Sequence, residues 1–181
     1  MAPSLSAVVF LALLAGARAR APRLNSTADS IDYKYVSPNP YSWRYLGNPW
    51  ILLCPLLKIN DTSSGTLSEA YITFDPASYD GDSLRYVTRF GGIEGYFDPD
   101  AGLMSFHGGG TVAAWQQALR TVSYKAKPTL SVRDHPNEHS RRANITVVDG
   151  TDLKSLEFDV HVRLTSAHVV ISDKSVTIIT L

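Results

Sequence analysis

The chain has 181 residues, of which 44% are hydrophobic and 19% charged, a composition typical of one globular domain with short appendages. Its 17 basic and 17 acidic residues give a formal net charge of zero. Arg141-Arg142 is the only adjacent basic pair, so the sequence lacks the clustered positive charge that binds nucleic acid or an acidic membrane.

Residues 1–19 have the pattern of a secretory signal peptide. The apolar run from Leu5 to Ala15 is too short to cross a bilayer, and Ala17-Arg18-Ala19 supplies the small residues of a cleavage site. Residues 20–42 are polar and contain prolines, which predicts an N-terminal arm. No later apolar stretch is long enough for a spanning helix, so we expect a soluble, secreted chain with no membrane span.

The single cysteine, Cys54, excludes an intrachain disulfide. Many small secreted domains use disulfides to supplement a limited core. Cys54 ends the apolar stretch Trp50-Ile51-Leu52-Leu53-Cys54, which predicts a buried thiol. The fold is therefore expected to depend on its apolar core alone.

Residues 43–164 are predicted to form an all-β sandwich or barrel. Short apolar or alternating segments recur between turn residues at the spacing typical of such folds. The clearest segment, 156–164, has an apolar side chain at every even position, the pattern of a strand with one buried face. The predicted strands cover roughly residues 50–59, 67–74, 83–88, 93–97, 103–107, 120–125, 143–148 and 155–164.

One short helix is predicted at about residues 112–119. Thr111 can cap its N-terminus, and Val112, Trp115 and Leu119 lie on one face at spacings of three and four. We expect this apolar face to close one end of the sandwich, with Trp115 packed in the core.

Two short sequence segments match catalytic motifs but lack the other elements that those motifs need for catalysis. His107-Gly108-Gly109-Gly110 matches the oxyanion loop of esterases, but the chain has no G-x-S-x-G motif, so we predict a turn into the helix. His135-Pro136-Asn137-Glu138-His139 matches the H-x-x-E-H string of a zinc peptidase class, which requires a stable helix. This segment contains a proline and has no apolar face, which favours a polar loop between strands.

The last residues, 165–181, are predicted to form a further hairpin. Its two strands are Val169-Val170-Ile171 and Val176-Thr177-Ile178-Ile179, on either side of Ser172-Asp173-Lys174-Ser175. The hairpin is either an extra edge of the sandwich or the start of a missing neighbouring repeat. An exposed apolar edge pairs readily with another chain, so this interpretation predicts self-association.

A series of short motifs follows the order of a known family of extracellular domains: residues 57–61, 67–74, 79–84, 93–98, 101–106, 111–124, 143–150 and 156–164. From about Pro55 to Leu164 the chain resembles the cadherin-like β-sandwich repeat of bacterial surface proteins, which has distant relatives in animal cell-surface proteins. The resemblance implies an immunoglobulin-like domain used for adhesion or display. The calcium-binding signatures of animal cadherins are absent.

Six aspartates in predicted turns are candidate calcium ligands, because this hard cation takes carboxylate oxygens from loops. The same positions suit turn formation, since Asp bonds its own backbone, and we favour that interpretation because no EF-hand spacing occurs. We therefore expect no obligatory cofactor, with calcium as the ion to test. The candidates are Asp80, Asp82, Asp98, Asp100, Asp149 and Asp152.

Three N-x-S/T sequons support a secretory route. They begin at Asn25, Asn60 and Asn144, which are the predicted glycosylation sites. Sequons together with a signal peptide predict a secreted or extracellular destination.

Three functional hypotheses remain. We favour a non-enzymatic secreted module that binds a protein or glycan partner on a cell surface or matrix, as part of a larger adhesive protein. The second is a small zinc-dependent hydrolase that uses His135, Glu138 and His139. The third is a structural extracellular glycoprotein with no dedicated ligand.

Overall fold

The computed structural model describes residues 20–36, 49–61, 64–76, 81–87, 90–127, 141–172 and 175–180. The described residues form an all-β fold with several sheets and one short helix, as the sequence predicts. Its elements are β1 (Arg23–Ser26), β2 (Ser30–Val36), β3 (Ile51–Leu52), β4 (Leu57–Asn60), β5 (Thr66–Phe74), β6 (Ser83–Arg85), β7 (Glu94–Asp98), β8 (Leu103–Thr111), α1 (Val112–Arg120), β9 (Ser123–Lys125), β10 (Arg141–Asp149), β11 (Phe158–Ser172) and β12 (Ser175–Thr180).

The largest sheet has seven strands within the described residues. Six follow the order β12-β11-β10-β5-β8-β7, and β2 pairs with β11 in parallel. In the centre of this sheet, Ile145 of β10 pairs with Ile72 of β5, and both side chains are fully buried. Because side chains alternate along a strand, Asn144 and Tyr71 lie on the opposite, outer face.

A three-stranded sheet of order β3-β9-β6 packs against the larger one through Tyr124 of β9. Tyr124 of β9 is fully buried, and its ring packs edge-on against Tyr33 of β2 and Phe74 of β5 at centroid distances of 5.1 and 5.9 Å. Strands β1 and β4 pair as a separate two-stranded ribbon. The layers thus share one apolar core, as in a sandwich.

Helix α1 closes this core at one end, as predicted. The Thr111 side chain accepts a hydrogen bond from the Ala114 N–H at 3.2 Å and caps the helix. Trp115 is fully buried, and its indole N–H donates to the Leu67 carbonyl at 2.9 Å. Burial of Cys54, which is 2% exposed, is also confirmed.

The N-terminal segment differs from the predicted polar arm. Residues 23–26 pair with β4, and residues 30–36 run parallel to β11. Ser30–Val36 carries Ile31, Tyr33 and Tyr35 at alternate positions, a strand pattern inside a polar composition. The composition of this segment did not indicate a strand, because the charged residues Asp32 and Lys34 occupy the intervening positions.

The strand predicted from residue 156 begins instead at Phe158. Leu156 lies before the strand and is 89% exposed, whereas Val160 and Val162 are buried as the alternation predicts. The strand then continues to Ser172 and pairs with β12, so the terminal hairpin is an extension of this strand.

The glycine run 108–110 is not the predicted turn into the helix, because it lies inside strand β8. Glu69 pairs with His107 and Leu67 with Gly110, so two glycines lie opposite Ser68 alone, as in a β-bulge. Gly108 has φ +143°, and a Cβ there would lie 2.7 Å from the Gly92 carbonyl oxygen. Glycine is required at position 108 because the backbone at Gly92 approaches closely, and not because the segment forms a catalytic loop.

We expect Gly108→Ala to lower the free energy of unfolding by about 1–3 kcal/mol, because alanine adds backbone strain and a steric contact. Gly109→Ala is the matched control, since a Cβ at Gly109 has no neighbour within 4 Å. Urea denaturation followed by circular dichroism measures both. Equal stability of the two variants would contradict the close approach.

Candidate functional site

Two of the predicted calcium ligands stabilise their own turns. Asp98 Oδ1 accepts from the backbone N–H of Asp100 and Ala101 at 2.9 and 3.2 Å. Asp149 is fully buried, and its Oδ1 accepts from the Thr151 and Leu153 backbone N–H groups at 2.8 and 2.9 Å. These bonds are those of Asx turns, the interpretation that the sequence favoured.

The other predicted metal ligands in turns do not form a metal site within the described residues. Asp152 adopts φ 64°, and both Asp152 and Asp100 are exposed. Asp80 lies outside the described residues, as do residues 1–19 and the zinc-peptidase string with His135, Glu138 and His139. Within the described ranges, no group of three or more His, Cys, Asp or Glu side chains is placed to hold a metal ion.

Asp82 is neither a turn residue nor exposed, because it forms a buried ion pair between the two sheets. Its Oδ2 accepts from Arg141 Nε at 2.8 Å and from the Tyr124 hydroxyl at 2.9 Å, and its Oδ1 accepts from the Lys127 N–H. Asp82 and Arg141 are 1% and 3% exposed. Burial, reinforced by the Asp82 charge, raises the pKa of Tyr124, so its hydroxyl remains a donor.

The outward side of the three-stranded sheet carries the clearest surface feature. The Arg85 guanidinium lies 4.4 Å from the centre of the Trp50 ring, and the Lys125 ammonium lies 5.6 Å from it. Leu52, on the same side of β3, is 46% exposed. We name Trp50, Leu52, Arg85 and Lys125 the Trp50 platform.

The Trp50 platform is positively charged. Strands β3, β6 and β9 contain no Asp or Glu. Neither Arg85 nor Lys125 forms an ion pair with any residue in the described ranges. Stacking on the indole restrains the planar guanidinium, whose N–H groups can then bind a carboxylate in two-point fashion.

Sequence reasoning did not find this platform. Arg85 lies 35 residues after Trp50, and Lys125 lies 40 residues after Arg85. Only antiparallel pairing of β3 and β6 with β9 brings the three together. One sequence feature indicated part of it. In a strand with Tyr124 buried, alternation places Ser123 and Lys125 on the opposite face.

The outer face of the seven-stranded sheet has a different composition. It presents Tyr71, Tyr96 and Ser105 in one cross-strand row. Tyr96 is 69% exposed, and the Tyr71 hydroxyl donates to Glu69 Oε2 at 2.6 Å, which raises the pKa of Tyr71. A cleft of about 300 Å³ opens on this face between Tyr71, Leu103, Asn144 and Glu157.

The predicted glycosylation sites lie on the β1–β4 ribbon and on the large sheet, outside the strands of the Trp50 platform. Asn25 and Asn60 are exposed on the β1–β4 ribbon, where Asn25 pairs with Lys58 and Asn60 with Arg23. Alternation puts both on the side opposite Leu57 and Ile59, which are buried. Asn144 lies in β10, on the outer face of the large sheet.

No protein-family model, curated protein or solved structure matches the chain. In the part of the chain that the structure describes, no helix is long and apolar enough to span a membrane.

Proposed function

We propose that this protein is a secreted, non-enzymatic interaction module that acts in adhesion, with a cadherin-like domain from a larger cell-surface protein. Its binding surface is the Trp50 platform, and its partner is an acidic protein surface. The observation that carries this proposal is the contact of Arg85 and Lys125 with Trp50 on a face whose strands have no acidic residue.

The residue types support a protein interface. Tryptophan, tyrosine and arginine are enriched among the residues that dominate binding energy, and the core of an interface also contains apolar groups. Leu52 supplies such a group within the platform, and Val87, two residues beyond Arg85, is 70% exposed. A stacked guanidinium also loses little side-chain freedom on binding, which lowers the cost of association.

The charge of the platform indicates the partner. Arg85 and Lys125 have no carboxylate partner among the described residues, so an acidic surface can pair with them without breaking an existing ion pair. By contrast, the buried carboxylates Asp82 and Asp149 are occupied by structural hydrogen bonds. The free charged groups of this site are thus suited to recognition of anionic protein groups.

We expect the purified protein to bind immobilised poly-glutamate, used as a carboxylate-rich probe, and to bind it more weakly as salt rises. Arg85→Ala/Lys125→Ala should weaken the affinity about tenfold or more, because both cations contact the probe. Biolayer interferometry measures the dissociation constants.

The matched control is Lys58→Ala/Lys154→Ala, which removes two exposed cations from other surfaces and changes the net charge equally. It should retain most of the affinity. If both double variants lose the same affinity, binding follows net charge and the Trp50 platform is not the site.

A further inference from the structure

The sequon asparagine Asn144 occupies an unusual place for a glycan, in the middle of a seven-stranded sheet. Its neighbours across the strands are Thr73 of β5 and Asp159 of β11. The sequon threonine, Thr146, is two residues on and therefore shares the outer face. A sugar attached here must lie against the sheet and not project from a loop.

The orientation of the amide favours attachment. Asn144 Oδ1 is buried without a hydrogen-bond partner, whereas Nδ2 has an exposed, long bond of 3.4 Å to Glu157 Oε2. Exchanging the two amide atoms would place the oxygen against the Glu157 carboxylate, which is repulsive. The nitrogen that carries an N-linked sugar thus lies on the accessible side, and attachment disturbs only a weak bond.

The cleft beside Asn144 has suitable dimensions and chemistry for a sugar ring. Its volume is about 300 Å³, and its walls combine the Tyr71 ring and Leu103 with the polar ends of Lys154 and Glu157. Small-ligand sites use such a mixture of apolar walls and a few polar groups. Asn25 and Asn60 lie instead on the exposed β1–β4 ribbon, where Asn25 pairs with Lys58 and Asn60 pairs with Arg23.

We infer that Asn144 carries an N-linked glycan whose first N-acetylglucosamine lies in this cleft and covers the outer face of the large sheet. The inference depends on the secretory route in the proposed function. A glycan at this position makes the outer face a shielded surface and leaves the Trp50 platform, which carries no sequon, as the uncovered one. Protein partners are then directed to the platform side of the sandwich.

The first test is occupancy in folded protein. The chain is secreted from a eukaryotic cell line once with its own leader and once with an established leader, and the monomeric fraction is digested. Glycosidase treatment in ¹⁸O-labelled water marks each occupied asparagine by mass. We expect Asn144 to be marked in most of the monomer.

The outcomes separate the two proposals. If the native leader fails and the established leader gives monomer marked at Asn144, the secretory part of the proposed function is wrong and glycan attachment at Asn144 is supported. If secreted monomer is marked at Asn60 but not at Asn144, the glycan inference is overturned. Confinement of the Asn144-marked chains to retained, aggregated protein also overturns it.

The second test asks whether the sugar lies in the cleft. In an Asn25→Gln/Asn60→Gln background, an endoglycosidase trims the glycan to one N-acetylglucosamine, and the melting temperature is compared with that of a form carrying Asn144→Gln as well. A melting temperature of the trimmed form at or above that of the Gln form supports the cleft. A clearly lower melting temperature shows that the sheet does not accommodate the sugar.

Discussion

Replacing Asp82 with alanine should lower the free energy of unfolding by about 3–5 kcal/mol, because the buried Arg141 guanidinium then loses its contact with the Asp82 carboxylate. Arg141 is 3% exposed, so water cannot replace the lost partner without opening the core. The same change removes the acceptor of the Tyr124 hydroxyl and of the Lys127 N–H. Urea denaturation at neutral pH measures the loss.

A second Asp–Arg pair supplies the control for this prediction. Arg142 and Asp159 approach to 2.6 Å at the surface, with 48% and 36% of their side chains exposed. Asp159→Ala should therefore cost less than about 1 kcal/mol. Asp82→Ala/Arg141→Met should be more stable than Asp82→Ala alone, because the double variant also removes the buried guanidinium charge. Similar losses for Asp82→Ala and Asp159→Ala would contradict the buried ion pair.

Trp115→Ala should have a comparable effect, with a loss of about 3–5 kcal/mol. The Trp115 side chain is fully buried between α1 and the large sheet, so its removal leaves a cavity where the helix closes the core. It also leaves the Leu67 carbonyl oxygen without the indole N–H that lies 2.9 Å away. Both effects act on the same contact between helix and strand.

Trp50→Ala is the matched control for Trp115→Ala, because the Trp50 side chain is only partly buried. It should lose clearly less stability than the Trp115 variant when both are unfolded in urea. A Trp115 variant as stable as the Trp50 variant would show that α1 does not close the core.

Much of the fold was predictable because its signals are local. The helix followed from Thr111 and the spacing of Trp115 and Leu119, and all three have the predicted roles. Strand β11 followed from alternation, although Leu156 showed that an apolar residue before the first pairing position can remain exposed. Local patterns fail where pairing partners decide the structure, as for β2, which runs parallel to a strand about 130 residues later.

The candidate site was less predictable than the fold. Turn aspartates such as Asp98 and Asp149 were recognisable because their bonds are to adjacent residues. Asp82 lies beside a glycine, as Asp149 does, yet its partners are 42 to 59 residues away. The Trp50 platform likewise depends on three segments that only the three-stranded sheet joins, so no local pattern marks it.

The central claim, that the protein is an adhesive module acting through the Trp50 platform, is tested most directly by cell attachment. Surfaces coated with equal amounts of the wild-type protein, Arg85→Ala/Lys125→Ala or Lys58→Ala/Lys154→Ala are compared for the number of cells that they retain under flow. We expect attachment to the wild-type and Lys58/Lys154 surfaces and its loss on the Arg85/Lys125 surface. Equal attachment to all three surfaces, or to none, would contradict the claim.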